Sequence, residues 1–211
     1  MVYLPPHFTE TDEAVLLAHM DRHDFALLVT HGPTGQGELI ASQVPLLAEK
    51  RDGKLFLLGH LALPNPQCAD LNGGEALVVF SGPHAYVSPS WYTAGPAVPT
   101  WNYAAVHAYG TPRAIADKGW LGQFLRRLSE RHEAREANPW RMGDQPAPFL
   151  DAMMGGILGF EIEVARLDGK FKLSQNRPAG DRPRVAAALE AHADDDSHGV
   201  ARLMRERETA S

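Results

Sequence analysis

The sequence predicts a mainly β domain with flanking helices, its strands closing as a barrel. Three observations carry this prediction. Six or so strand-length apolar runs follow one another at short spacing, with turn residues between them. Two stretches instead repeat apolar residues at helical spacing, one before residue 22 and one near residue 120. No strand reads as polar enough to be an open edge, which favours a barrel over a sandwich.

The elements follow in order. Thr9, with Asp12 three residues on, has the form of a capping box, and Val15, Leu16, Leu17 and Met20 give a short amphipathic helix ending near Arg22. Phe25 to Thr30 is a continuous apolar run, read as a strand buried on both faces. Gly32-Pro33-Thr34-Gly35-Gln36-Gly37 is a turn. Leu39 to Leu47 and Lys54 to Leu58 flank Asp52-Gly53, the strongest hairpin signal in the chain. Further strands are expected at 76–80, 86–88, 101–109 and 113–116. Asp117 caps a second helix through Trp120, Leu121, Phe124, Leu125 and Leu128, stopped by Asn138-Pro139. A short helical piece around 149–154 precedes a strand from Ile157 to Leu167, which Asp168-Gly169 turns into Lys170 to Ser174. From Arg184 onward the chain reads as helical and weakly packed. The expected organisation is one domain over 1–183, with inserted helices near 117–137 and 147–155, and a C-terminal helical extension over 184–211.

Composition narrows the function. A chain of 211 residues buries roughly 70% of its unfolded surface and needs no disulfide staples. The single cysteine, Cys68, excludes an internal disulfide, a cysteine-built zinc site and CxxC redox chemistry. No run of 18 apolar residues is present, and Met1 to Glu10 lacks a basic region followed by an apolar core. The expectation is a cytoplasmic protein with no membrane partner. Net charge is −6, which opposes a generic nucleic-acid-coating surface. The charge is segregated, however. Residues 166–184 hold Arg166, Lys170, Lys172, Arg177, Arg182 and Arg184 against Asp168 and Asp181, a local +4.

Four segments carry more polar and aromatic groups than barrel walls require: Ile40 to Pro45, Gly59 to Pro66, Ser88 to Tyr103, and Lys170 to Arg177. Together they offer cations for a phosphate, aromatic faces for a planar ring, and hydroxyls and amides for its edge. Arg177 and Lys172 are of the kind that grip phosphate, arginine bidentately and lysine as a point charge. Trp91, Tyr92, Trp101 and Tyr103 fall within 13 residues bounded by proline turns, which hold side chains at low entropic cost. Other chemistries lack their patterns. The glycine-rich turn has no Lys-Ser/Thr of a P-loop, and His132-Glu133 has no second His at zincin spacing. Ser90 lacks nucleophile-elbow glycines, and no helix-turn-helix is visible. His19 and His23 read as surface histidines on the first helix rather than metal ligands, so no metal site is expected.

At these segments the sequence resembles the PaiB family of FMN-binding negative transcriptional regulators. The resemblance rests on Tyr3-Leu4-Pro5-Pro6-His7-Phe8, Gly59-His60, Asn65-Pro66, Ser88-Pro89-Ser90-Trp91-Tyr92, Val98-Pro99-Thr100-Trp101-Asn102-Tyr103, Val106-His107, Gly159-Phe160-Glu161-Ile162 and Lys172-Leu173-Ser174-Gln175-Asn176-Arg177. It spans residues 3 to about 191. It implies a split β-barrel of the FMN-binding type, as in pyridoxamine-phosphate-oxidase-like flavin proteins, and a homodimer with FMN at the subunit interface. By that likeness Ser42, Gln43 and Val44 of one strand, and Gly59, His60, Ala62 and Asn65 of the next loop, meet the phosphate and ribityl chain. Trp91, Trp101 and Asn102 join the site, His107 lies on an interface strand, and Lys172, Gln175 and Arg177 reach in, from the partner subunit. Leu63 and Gln43 stand where family members usually have Arg and His.

The resemblance implies an FMN-binding negative transcriptional regulator, with DNA as a partner that no visible motif supports. Two alternatives stand beside it. One is an FMN-dependent oxidoreductase acting on a small substrate, with His60, Trp91, Asn102 and His107 facing flavin or substrate. The other, kept open by Leu63, is a barrel without cofactor that serves as a dimeric interaction protein.

Overall fold

In a computed structural model, residues 2–32, 37–93 and 95–209 are described. Pro33 to Gln36 of the expected turn lie outside the described residues. The strands are β1 (Thr9–Glu10), β2 (Phe25–Thr30), β3 (Ile40–Pro45), β4 (Leu47–Arg51), β5 (Lys54–Ala62), β6 (Ala76–Val87), β7 (Thr100–Ile115) and β8 (Ile157–Lys172). The helices are α1 (Glu13–Arg22), α2 (Lys118–Glu133), α3 (Ala147–Met154), α4 (Asp181–Glu190) and α5 (Asp195–Thr209). Among the described residues the hydrogen-bonded strand order is β3-β2-β6-β7-β8-β5-β4, with β1 added on β8. The β1–β8, β2–β3, β2–β6, β4–β5 and β5–β8 pairings are antiparallel. The fold class is the expected one, mainly β with flanking helices.

Several elements differ from their sequence reading, each for a physical reason. Helix α1 starts later than Thr9: Asp12 is the cap and accepts from the Ala14 N–H, while the Thr9 hydroxyl donates to the Pro5 carbonyl at 3.1 Å. The carboxylate suits the exposed amides of a first turn, so it takes that place. Strand β2 alternates between buried and open positions rather than being covered on both faces. The hairpin forms as expected, with Asp52 and Gly53 both at positive φ between β4 and β5.

Three supposed breaks are not breaks. The runs around 76–80 and 86–87 are one strand, β6, and those at 101–109 and 113–115 are one strand, β7. Likewise β8 continues through Asp168-Gly169, where Gly169 pairs with Glu10. The glycines are there for close approach. A Cβ on Gly82 would lie 2.4 Å from the His19 ring, one on Gly110 would lie 2.1 Å from the Glu163 carbonyl, and one on Gly169 would lie 2.3 Å from Leu16. Turn composition and close-approach composition look alike in sequence.

The chain forms two compact units. One comprises Met1–His23, Phe80–His107 and Asp168–Ser211; the other comprises Asp24–Val79 and Ala108–Leu167. In the second unit, Leu121, Phe124 and Leu128 form the buried face of α2, capped by Asp117. Phe124 and Leu128 pack with Leu47 and Leu58, and Trp120 stacks on Phe124. In the first unit, Val185, Ala186 and Leu189 of α4 and Val200 and Ala201 of α5 are buried. The C-terminal helices, read from sequence as weakly packed, therefore belong to a core. Among the described residues no helix is long and apolar enough to cross a membrane.

Candidate functional site

The expected site residues fall into two groups, one in each unit. In the unit built around Asp24–Val79, the Asn65 amide donates to the Ser42 hydroxyl at 3.0 Å. The Asn65 carbonyl oxygen also caps the short turn Pro66–Asp70 by accepting from the Gln67 N–H at 2.9 Å. Gln67, fully buried, donates to the Leu28 and Ile40 carbonyls and to the Thr30 hydroxyl, which itself donates to Asp70 at 2.6 Å. The structure thus brings Ser42 and Asn65 together and ties their loop to β2 and β3.

The others of that group diverge. Strand alternation sends Gln43 outward and Val44 into the core. It likewise sends Gly59 and His60 to opposite faces of β5. A Cβ on Gly59 would meet Phe160 at 2.5 Å and Leu46 at 2.6 Å, so glycine there permits packing. His60 faces the ring of Phe124 at 5.7 Å, its Nδ1 is buried without a partner, and burial lowers its pKa. A neutral imidazole follows near neutral pH. Ala62 and Leu63 are exposed.

The group in the other unit is cationic. The Lys172 ammonium donates to the Thr100 hydroxyl at 2.5 Å and to the Trp101 carbonyl, and lies 5.7 Å from the centre of the Phe8 ring. These partners are neutral. Burial lowers the Lys172 pKa, and the positive charges of Lys170 and Arg177 lower it further. Lys170 donates to the Tyr3 carbonyl at 2.6 Å and sits near the Tyr3 and Tyr103 rings. Among the described residues, the charges of Lys172 and Lys170 meet oxygen dipoles and aromatic faces, while Arg177 also faces the Asp181 carboxylate.

Around these cations the remaining residues separate by face. Asn102 points into the core, where its amide donates to the Ser174 hydroxyl at 2.9 Å and its Oδ1 is buried without a partner. Trp101 and His107 lie on the alternate face of β7, with Trp101 half exposed against Tyr86 and His84. Gln175 is occupied within its own loop, accepting from the Leu173 N–H at 2.6 Å and donating to the Phe171 carbonyl. The Arg177 guanidinium lies 4.1 Å from the centre of the Tyr92 ring, whose hydroxyl is buried without a partner. Trp91 meets His192 edge to face at 5.8 Å. A cavity of about 330 Å³, lined in part by Leu173, Gln175, Arg182 and Met204, opens beside the same segment.

Several organising residues carry no signal in the sequence. Asp181 is buried and accepts from both the N–H and the hydroxyl of Thr93, at 2.8 and 2.6 Å. Those hydrogen bonds lower its pKa, and Arg177 and Arg184 add to the effect. The partners are 88 residues apart, beyond the reach of any local pattern. Ser174, at φ 64°, adopts a turn conformation that its composition does not announce. His19, expected on a surface, is buried. Its Nε2 lies 3.2 Å from the Phe80 carbonyl, and burial, reinforced by His23, lowers its pKa to about 4. Among the described residues no three His, Cys, Asp or Glu are placed to hold a metal ion.

Residues 2–166 match a family described as "Putative FMN-binding domain". The chain belongs to this FMN-binding domain family. Consistent with membership, it is 35% identical over 207 residues to Protease synthase and sporulation protein PAI 2 of Bacillus subtilis, covering 98% of both chains. It is 34% identical over 204 residues to an uncharacterized protein of Emericella nidulans, covering 79% of this chain and 81% of the relative. Among solved structures, the FAD and heme binding protein of Mycobacterium smegmatis aligns with TM-score 0.54 at 18% identity, over 85% of this chain and 79% of that one. The flavocytochrome Anf3 of Azotobacter vinelandii aligns with TM-score 0.53 at 13% identity, over 80% and 72%. The fold is thus the flavin-type split barrel implied by the resemblance.

The residues present fit the family's cofactor chemically. FMN carries a phosphate dianion and a planar ring with a hydrogen-bonding edge. Lys172 and Arg177 supply cations, Lys172 with neutral partners among the described residues, and Trp91 and Trp101 supply aromatic faces; the Asn102 Oδ1 lies on the core face of β7, away from Trp101. Lys172 and Arg177 lie beyond the part of the chain that matches the family.

Proposed function

We propose that this protein is an FMN-binding regulator of the PaiB type, acting as a homodimer in the cytoplasm. The observation that carries the reading is the Lys172 cluster: an ammonium that, among the described residues, donates to neutral oxygens only, with Lys170 and Arg177 close enough to depress its pKa. Such a cluster gains when an anion arrives, because the anion relieves repulsion among the cations. FMN's phosphate supplies that charge. Trp91 and Trp101 are the residues assigned to its ring, and Lys172 and Arg177 to its phosphate. Family membership and the similarity to the Bacillus sporulation protein support both the cofactor and the regulatory role.

When bound, FMN supplies reversible redox chemistry at its ring. The chain's own contribution is to hold the phosphate and present aromatic faces. Purified protein is expected to quench FMN fluorescence on titration. Lys172→Ala and Arg177→Ala are each expected to weaken binding, with a difference that shrinks at high salt. Unchanged affinity in both variants contradicts the phosphate assignment. Regulation is tested by a gel shift on the gene's own upstream DNA at two salt concentrations. Binding with sequence preference that persists at the higher salt supports it, and non-specific binding lost at moderate salt contradicts it.

A further inference from the structure

Three consecutive residues of the aromatic loop are each held by one residue from the segment that follows β8. Arg184 Nε donates to the Trp91 carbonyl at 3.1 Å. The Arg177 guanidinium covers the Tyr92 ring at 4.1 Å. Asp181 Oδ1 accepts both hydrogen bonds from Thr93. Arg177 lies in the turn that leads into α4, and Asp181 and Arg184, three residues apart, share one side of its first turn. Behind them Val185, Ala186 and Leu189 are buried, and α4 packs on α5. The helix that supplies Asp181 and Arg184 is therefore anchored in a core, although the contacts it makes are part-buried or exposed.

We propose that the C-terminal helices are a clamp that sets the 91–93 loop for the flavin, with Asp181 as its positioning residue. The inference rests on the reading that Trp91 faces FMN, and it gives residues 181–209, which the family match does not reach, a part in cofactor binding. Asp181 is the centre of the grip because one oxygen atom fixes both the backbone and the side chain of Thr93. Backbone N–H and hydroxyl converging on one carboxylate oxygen leave the loop little freedom to rotate. Arg177 and Arg184 act on the neighbouring residues from either side.

The full-length chain tests this with Asp181→Ala, Asp181→Asn and Thr93→Val, read by FMN titration and by amide hydrogen exchange over residues 88–93. Asp181→Ala is expected to speed exchange of the Thr93 amide at least tenfold and to weaken FMN binding at least fivefold. Asp181→Asn keeps Oδ1 as an acceptor and is expected to restore both to within about twofold of the parent. Thr93→Val, which keeps the amide bond and loses the hydroxyl bond, falls between. If Asp181→Ala does not fold, Thr93→Val against Thr93→Ser carries the test, with serine binding like the parent and valine more weakly. Unchanged exchange, or unchanged FMN affinity in a folded Asp181→Ala or Thr93→Val protein, overturns the clamp. Absence of FMN binding by the parent chain overturns the functional reading instead, and the exchange result separates the two failures.

Discussion

The two units handle buried charge in opposite ways. In the unit that holds α2, Glu161 accepts from Arg51 and Arg113, each at 2.6 Å, and its carboxylate is almost wholly covered. Burial raises its pKa, but the two guanidiniums outweigh burial and leave it lowered. In the other unit, Lys172 finds a hydroxyl and a carbonyl where Glu161 finds two opposite charges. The first charge is paired by its own chain, whereas the second, among the described residues, has neutral partners and, on the proposed reading, awaits an anion. A cation with neutral partners is thus a better guide to a ligand than a cation as such, since Arg51 and Arg113 are no less basic.

The largest expected effect tests whether the units differ in their response to acid. His19 has a folded pKa of about 4 against an ordinary 6.5, so between those values the unfolded chain binds a proton that the folded chain does not. Stability therefore falls as pH drops from 6.5 toward 4, by about 3 kcal/mol in all. Glu161 works in the other window. Its lowered pKa gives stability that is present above its ordinary 4.5 and is lost only as pH falls through the folded value. Urea unfolding at about pH 7 and about pH 5 checks this, with His19→Asn expected to flatten the slope. An unchanged slope in that variant removes His19 as the cause.

Next in size is Lys172→Ala, which removes a charge-assisted contact worth about 1.5–3 kcal/mol and is expected to weaken FMN binding ten- to a hundredfold. The matched change in the neutral group is Asn65→Ala. It removes the cap of the Pro66–Asp70 turn and the bond to Ser42, lowering stability by about 1 kcal/mol. Its effect on FMN affinity is expected to be smaller than that of Lys172→Ala. Calorimetric melting with parallel FMN titrations measures both, and a larger affinity loss in Asn65→Ala reverses the ranking of the two groups.

The fold was largely legible in the sequence because it rests on local signals. Asp52-Gly53 marked its hairpin, and Asp117 with Trp120, Leu121, Phe124 and Leu128 marked α2. The misreadings came from glycines whose reason for being glycine is a contact distant in sequence. Gly82 makes room for His19, and Gly110 for the Glu163 backbone, yet each resembles a strand end when only neighbours are visible. The candidate site divides the same way. Residue types announced the cations and aromatics, and the local +4 over 166–184 pointed to Lys172 and Arg177. Strand parity then separates Trp101 from Asn102 and Gly59 from His60, which runs of motif residues do not reveal. Asp181 reaches Thr93 only through the packing of α4, so its role became visible in three dimensions alone.

On the proposed reading, the Lys172 cluster, with its neutral partners, is built for the phosphate of FMN. Titration of FMN into the purified parent chain tests it most directly, with riboflavin, which lacks the phosphate, as the matched ligand. Saturable quenching of FMN fluorescence is expected, with riboflavin binding at least tenfold more weakly and Lys172→Ala narrowing that gap. No quenching by the parent chain, or equal affinity for FMN and riboflavin, would contradict the claim.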